Sequence, residues 1–423
     1  MKHLITYIFI SFIGLNFLIS IYGWWQSNHE NIIPYNRQTE IIDTIWDTSE
    51  SKEDKIIQEH KNIFSYTPNV INRSQSFINQ IIKAKPAFQH LYLEIHGNLQ
   101  RLLGKSYMID SNKNNDIVRL SNGQLNFTSK INRIYTSDNN INDLYIAIKE
   151  LKKFKEYILQ NSPKSKLYFI FRPQKGSGHV VTYNLNHPKN YNYTKKQFIK
   201  DIKSLNFSIL NLNEMVSTNH YNVFYNTDHH WRVEYAFNQI PTICHFLNLN
   251  DSIYSKSNFK LINTNKIFSG SLTKRTGNGF TLLTDTFKYY IPHIKTSFTA
   301  DYYSKNKIIR RKGTLDQTLL FLEKLQDPHW NANLYSICNQ GDNPLVRITN
   351  HHNTTEKNIL ILGDSFSAPI ISYLSLSFKH MDCIDLRSCN TSILMDLIKQ
   401  NQYEKICLIY PDVYDEKMYT FIN

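Results

Sequence analysis

The sequence has no Cys-x-x-Cys pair and no His-Glu-x-x-His pattern, and its five cysteines (Cys244, Cys338, Cys383, Cys389 and Cys407) are scattered singly. The first absence excludes a zinc ribbon or a thioredoxin-like redox site. The second excludes the helical metalloprotease arrangement. His229-His230 and His351-His352 offer imidazoles, but neighbouring side chains of an extended segment point apart, so no metal site is expected from them. An odd cysteine count leaves at least one thiol unpaired. Cys383 and Cys407 lie in apolar runs and are expected in the core. In an oxidising compartment a Cys383–Cys389 or a Cys338–Cys389 disulfide is open, with nothing in the sequence to choose between them.

Nor is there a nucleic-acid motif, an internal repeat or a long low-complexity segment. The net charge is +13 over 423 residues. Such a balance suits nucleic acid, an anionic membrane or an acidic polymer. Abundant Lys, Asn, Ile, Tyr and Phe also fit AT-rich codon usage. The longest basic stretches are Lys149–Lys155 and Arg310–Lys312. The first reads as the solvated face of a helix and the second is short, so no nucleic-acid partner is expected. Hydrophobic residues make up 41% of the chain, which excludes a disordered tail or a fibre.

What is present begins at the N-terminus. From Leu4 to Trp25 the chain is almost unbroken apolar sequence, with no charge and Asn16 as its one strongly polar residue. That length spans a hydrocarbon core about 30 Å thick, and Trp24 and Trp25 sit where an interfacial aromatic belt lies. No small-x-small cleavage site follows, so residues 1–25 read as a retained transmembrane signal anchor, with a cleaved signal peptide as the rival. Either reading sends the rest of the chain out of the cytoplasm. Residues 26–68 are polar and aperiodic, a stalk or linker. The remainder, 69–423, reads as one folded domain.

Within that domain helix and strand alternate. Phe77, Ile78, Ile81 and Ile82 share a helical face; after Pro86, Phe88 to Leu102 continues at three- and four-residue spacing, with Gly104 as its cap. Asn122-Gly123 between apolar stretches predicts a hairpin. Asp143 can cap a helix that Pro163 stops. Leu167–Phe171 and Phe207–Leu212 predict strands, and Val233 to Leu247 a helix kinked at Pro241. Residues 248–343, rich in Ser, Thr, Tyr and Asn, read as an irregular, partly β insertion. Then come a strand at Ile359–Leu362, a helix at Ala368–Phe378, a strand at Met381–Leu386, a helix capped by Ser392, and a last strand at Ile406–Tyr410. This order is α/β, with a parallel sheet and ligands at the carboxyl ends of its strands.

Two motifs carry chemistry. In Ile359-Leu360-Ile361-Leu362-Gly363-Asp364-Ser365-Phe366-Ser367 a strand runs into Gly-Asp-Ser ahead of a helix. This puts the Ser365 hydroxyl at a strand end, beside helix N-terminal amides able to hold an oxyanion. Taken alone, the same residues also suit an ordinary helix cap. A serine needs a base, and the base needs an orienting group. Asn226-Thr227-Asp228-His229-His230-Trp231 supplies both: Asp228 and His230, two apart, point the same way. His229 is expected on the opposite side, as a packing residue.

Together these motifs resemble the DHHW protein family, related to the alginate O-acetyltransferases of the SGNH hydrolase superfamily. Gly341-Asp342-Asn343-Pro344 with Ile348 and Asn350, and Ile384-Asp385-Leu386-Arg387, add to the likeness, which spans roughly residues 70–423. The resemblance implies a three-layer α/β/α, flavodoxin-like SGNH domain in which Asp-x-His precedes the serine. By position it makes Ser365 the nucleophile, His230 the base and Asp228 the orienting acid, with no cofactor and no metal. Asn343 and the backbone near Gly341 become candidate oxyanion donors. The implied activity is O-acetyl transfer to a cell-envelope or exported polysaccharide, with a multispanning membrane O-acyltransferase as acetyl donor and a periplasmic or cell-surface location. A carbohydrate acetylesterase and a non-catalytic polysaccharide assembly protein are the alternatives. The segment after Arg172-Pro173 is long and unlike the family. The chain's end soon after the last strand implies no C-terminal carbohydrate-binding module.

Overall fold

A computed structural model describes residues 86–108, 116–127, 138–175, 191–216, 222–304, 307–330, 332–339, 341–353 and 357–411. The apolar run Leu4–Trp25, the stalk and the Phe77–Ile82 face lie outside the described residues. Among the described residues no helix is long and apolar enough to cross a membrane.

Helix α1 (Pro86–Leu102) starts at the proline and ends before Gly104, whose φ of +74° is the left-handed exit a glycine makes without strain. Strands β1 (Tyr107–Met108), β2 (Ile117–Arg119) and β3 (Leu125–Phe127) form a small antiparallel sheet. The Asn122-Gly123 hairpin joins β2 to β3, with Arg119 opposite Leu125. Next come α2 (Asp138–Asn161), β4 (Lys166–Phe171), α3 (Tyr191–Ser204) and β5 (Ser208–Asn211). Asp143 falls inside α2 instead of capping it. Asp and Asn cost at most about 0.7 kcal/mol each relative to Ala in a helix, so the Asn-rich start at 138–142 can be helical.

Helices α4 (Val233–Asn238) and α5 (Ile240–Phe246) meet at Gln239, the expected break beside Pro241. Then follow β6 (Phe259–Phe268), β7 (Asp285–Pro292), β8 (Phe298–Tyr303), β9 (Ile308–Gly313), β10 (Leu345–Asn350), β11 (Asn358–Gly363), α6 (Ala368–Leu374), β12 (His380–Ile384), α7 (Thr391–Gln400) and β13 (Lys405–Tyr410). The cap of α7 is Asn390, whose side chain accepts from the Ser392 amide. Ser392 therefore donates its amide to the cap and is not the cap itself.

The main sheet has eight strands in the order β5-β4-β13-β11-β12-β10-β8-β9. From β5 to β12 the pairs are parallel; β10, β8 and β9 extend the sheet antiparallel. Within the segment 248–343, read as a partly β insertion, β8 and β9 extend the main sheet from the open edge of β10. β6 and β7 of the same segment form a separate antiparallel pair.

Strand residues alternate between two cores, as a period of two requires. Ile359 and Ile361 of β11, with Cys407 and Ile409 of β13, pack against α4, α5 and α6. Leu360 and Leu362, with Ile406 and Leu408, face α2, α3 and α7. Helices therefore cover both faces, and the nearly continuous apolar strands are those of a sheet buried on both sides. All five cysteines are free and buried. Cys389 packs on the α7 face while Cys338 and Cys383 pack on the other, so the sheet keeps the partners of both candidate disulfides apart.

Candidate active site

The parallel strands β4, β11 and β13 end together, and the chemistry collects there. After β11, Gly363 has no room for a side chain: a Cβ would meet Ser367 Oγ at 2.5 Å. Asp364 then caps a short 3-10 turn, Ser365–Ser367, accepting from the Phe366 amide at 3.0 Å. The turn leaves Ser365 half-buried between buried neighbours and runs into α6.

The histidine loop is held from several sides. A bridge pairs Phe224 with Trp231, and the Tyr225 amide donates to the His230 carbonyl at 3.2 Å. The buried carboxylate of Asp285, on β7, accepts from the amides of Asn226 (2.9 Å) and Thr227 (2.7 Å), from the Thr227 hydroxyl (2.7 Å) and from Arg232 (2.9 Å). The hairpin contributes as well: Gln124 donates to Asn226 Oδ1 at 3.1 Å, and the Leu125 amide to the Asn226 carbonyl at 2.9 Å.

This scaffold brings three of the residues singled out in sequence together. Asp228 Oδ1 lies 2.6 Å from His230 Nδ1, and His230 Nε2 lies 2.8 Å from Ser365 Oγ. Burial raises the Asp228 carboxyl, but the His230 and His229 rings, with hydrogen bonds from His230 and the Ser271 amide, outweigh it and hold the group well below its ordinary range. An ionised Asp228 only accepts, so His230 Nδ1 carries the proton. An Nε2 that carries no proton can then accept from the Ser365 hydroxyl. Tyr335 stacks on the His230 ring at 4.0 Å and 13°. The Trp231 indole donates to the Phe366 carbonyl at 2.9 Å.

His229 departs from its expected place. Its ring lies 3.9 Å from that of His230, with Nδ1 3.0 Å from Ser271 Oγ and 3.5 Å from Asp228 Oδ1. Residues 226–230 are bent, so the side-to-side alternation of an extended strand does not apply. Asp228, His229 and His230 bring ligand atoms within 4.8 Å of one another, enough to consider a cation. The 2.6 Å Asp228–His230 contact is a hydrogen-bond length, however. Donors about 2.0–2.1 Å from one tetrahedral zinc sit well over 3 Å apart. His351 is elsewhere: it bonds Thr299 at 2.8 Å, past the end of β10 remote from Ser365.

A small solvent-open cavity adjoins Ser365, lined in part by Gly341, Asn343, Val346, Ile371 and Cys383. Gly341 and Asn343 thus line the same cavity as Ser365. The Asn343 amide group donates to the carbonyls of Asn339 (3.0 Å) and Gly341 (3.4 Å), closing the turn at its rim.

Several contributors had little or no signal in sequence. Arg172 pairs with Asp364 at 2.5 Å, both buried. Its place at the carboxyl end of a parallel strand was the available hint. Lys175, Asp285, Ser271 and Tyr335 sit in segments with no local pattern.

No family model matches the chain, and no curated protein does. Solved structures do. Bacillus cereus PatB1 with a sulfonyl adduct superposes with a TM-score of 0.55 at 18% identity, over 74% of this chain and 100% of that one. A second structure of Bacillus cereus PatB1 gives 0.54 at 20% identity, over 73% and 100%. A DHHW family protein from Eubacterium siraeum gives 0.50 at 20%, over 73% and 95%. The chain shares their fold, and the likeness drawn from its motifs extends to the backbone.

Proposed function

We propose that this protein is an SGNH-type O-acetyltransferase that moves acetyl groups onto a cell-envelope or exported polysaccharide, outside the cytoplasm. The observation that carries the reading is the continuous Asp228–His230–Ser365 hydrogen-bonded chain, 2.6 and 2.8 Å long at its two links. In this reading Ser365 Oγ attacks the acetyl carbonyl of a donor while His230 Nε2 takes its proton. The donor's oxygen or sulfur leaves with that proton, and the acetyl group rests on Ser365. A sugar hydroxyl then attacks the acetyl-serine, His230 accepts the hydroxyl proton, and Ser365 recovers it as the ester departs. Asp228 holds the ring and balances the imidazolium charge.

The net charge of +13 suits an anionic polymer. The N-terminal apolar run would keep the enzyme at the membrane beside a multispanning acyltransferase as acetyl donor. A second reading, carbohydrate acetylesterase, draws on the half-buried serine beside a solvent-open cavity, since water at the acyl-enzyme gives hydrolysis.

The test is acetyl transfer from a chromogenic acetyl ester to oligosaccharides, measured against hydrolysis, in wild type and Ser365→Ala. Acetylated oligosaccharide formed only by wild type supports the transferase. Ester loss without sugar acetylation selects the esterase. No turnover and no acetyl-serine would leave an assembly protein.

A further inference from the structure

One tetrapeptide, Arg172-Pro173-Gln174-Lys175, leaves β4 and reaches both arms of the site. Arg172 is 3% exposed and Lys175 is 2% exposed. The Arg172 guanidinium donates to Asp364 Oδ2 at 2.5 Å, and its Cζ lies 3.6 Å from the centroid of the Phe366 ring. It therefore grips both chain neighbours of Ser365. Three residues on, the Lys175 ammonium donates to the carbonyls of Tyr225 (2.6 Å), Asp228 (2.8 Å) and Asn226 (3.4 Å). Those carbonyls belong to the loop that carries His230.

Cations are costly to bury unless something holds them in return. Here two are spent within four residues, one under each arm. The arms come from positions 135 residues apart, and no short segment joins them. Pro173, between the cations, fixes its own φ and stiffens the link.

We infer that Arg172 and Lys175 are positioning residues that together set the separation of His230 Nε2 from Ser365 Oγ. The inference rests on the proposed serine chemistry. The bonds described run to Asp364 and to main-chain carbonyls, not to Ser365 Oγ or His230 Nε2. Each fixes one arm to the same strand end, so displacing either lengthens the histidine–serine contact.

The test uses the full chain and two readouts. One is the rate at which phenylmethanesulfonyl fluoride labels Ser365. The other is the downfield proton resonance of the His230 Nδ1–H bonded to Asp228, which reports loop geometry without any activity. The variants are Lys175→Met and Arg172→Lys. The control is Lys405→Met, which removes a lysine 3% exposed at the opposite end of β13. Both site variants are expected to label roughly 100-fold slower, the cost of about 1 Å of misplacement, and to shift or lose the proton signal. Lys405→Met is expected to lower the melting temperature and label at the wild-type rate. Equal labelling of Lys175→Met and Lys405→Met at matched melting loss would overturn the inference. If Lys175→Met does not fold, Arg172→Lys decides, because it keeps the charge and loses only the fork and the ring stack; wild-type labelling there overturns the brace. If wild type itself is not labelled, the serine chemistry fails. The proton signal then judges the brace alone: unmoved in both variants, it is refuted.

Discussion

The Trp231 indole donates its Nε1 hydrogen to the main-chain carbonyl of Phe366 at 2.9 Å. Trp231 follows His230, and Phe366 follows Ser365. The bond therefore ties the two loops one residue beyond the pair that meets at 2.8 Å. Trp231 is fully buried, and the Phe366 ring packs 4.7 Å from that of His230.

Trp231→Phe tests this tie. It keeps an aromatic ring and strips the donor from a buried carbonyl, a loss of about 1–3 kcal/mol. Urea melts should show that loss. The labelling rate of Ser365 should fall by more than the small unfolded fraction explains, because the loops lose their shared anchor.

Variants of the proposed triad should separate by role. Ser365→Ala should abolish acetyl-enzyme formation with the fold intact, since it deletes one oxygen beside a cavity. His230→Ala should be nearly as severe, as members of a triad act as a unit. Asp228→Asn should cost less, leaving the base in place. His229→Ala should retain most activity, since His229 Nδ1 faces Ser271 and not Ser365. Steady-state turnover of a chromogenic acetyl ester checks all four. Wild-type-like turnover in His230→Ala would move the base elsewhere.

Much of the site was legible because its signals are local. A continuous apolar strand running into Gly-Asp-Ser, and Asp-x-His in one loop, each lie within a few residues, and β11 and the 226–231 loop put them where the pattern says. What was not legible depends on distant partners. β8 and β9 join the sheet at the open edge of β10; the alternation of Phe298, Ala300 and Tyr302 marks a one-sided strand but does not name its partner. Asp285 holds the histidine loop from β7, and Lys175 from beyond β4; a single charged residue shows nothing of its burial in sequence. The placement of His229 failed for a different reason: the alternation rule needs extended backbone, and that loop bends.

Acid should unfold the site by a stated route. The Asp228 carboxyl is held well below its ordinary value of 3.8, burial being outweighed by the histidine rings and the hydrogen bonds. Its folded value is lower than its unfolded one. Its ionised form therefore adds stability above about pH 4, and that contribution is lost as pH falls through the folded value. Melting temperatures of wild type and Asp228→Asn should differ most near neutral pH, and the gap should narrow as the pH falls below about 4. A gap that does not narrow on acidification would mean the carboxylate charge contributes nothing.

The sharpest steric test is Gly270→Ala. Gly270 lies against the histidine loop, and a Cβ there would meet the Asp228 Cβ at 2.4 Å and the Thr227 carbonyl oxygen at 2.4 Å. Both contacts are closer than van der Waals packing allows, and neither atom ends a flexible side chain, so the backbone must move. The Thr227 hydroxyl accepts from the Gly270 amide at 3.1 Å, and Asp228 Oδ2 accepts from the Ser271 amide at 2.6 Å, so the displaced strand end would carry Asp228 with it. The expected stability loss is about 1–3 kcal/mol, the usual cost of forced overpacking. The expected loss of turnover is larger, on the order of 100-fold, because the displacement falls on the residue that orients His230. Gly104→Ala is the control. It carries a strained φ of +74° yet has no atom within 4 Å of its Cβ position. It should lower the melting temperature and leave turnover unchanged. If Gly270→Ala keeps wild-type turnover while Gly104→Ala loses it, the packing of Gly270 on Asp228 does not govern the geometry of the site.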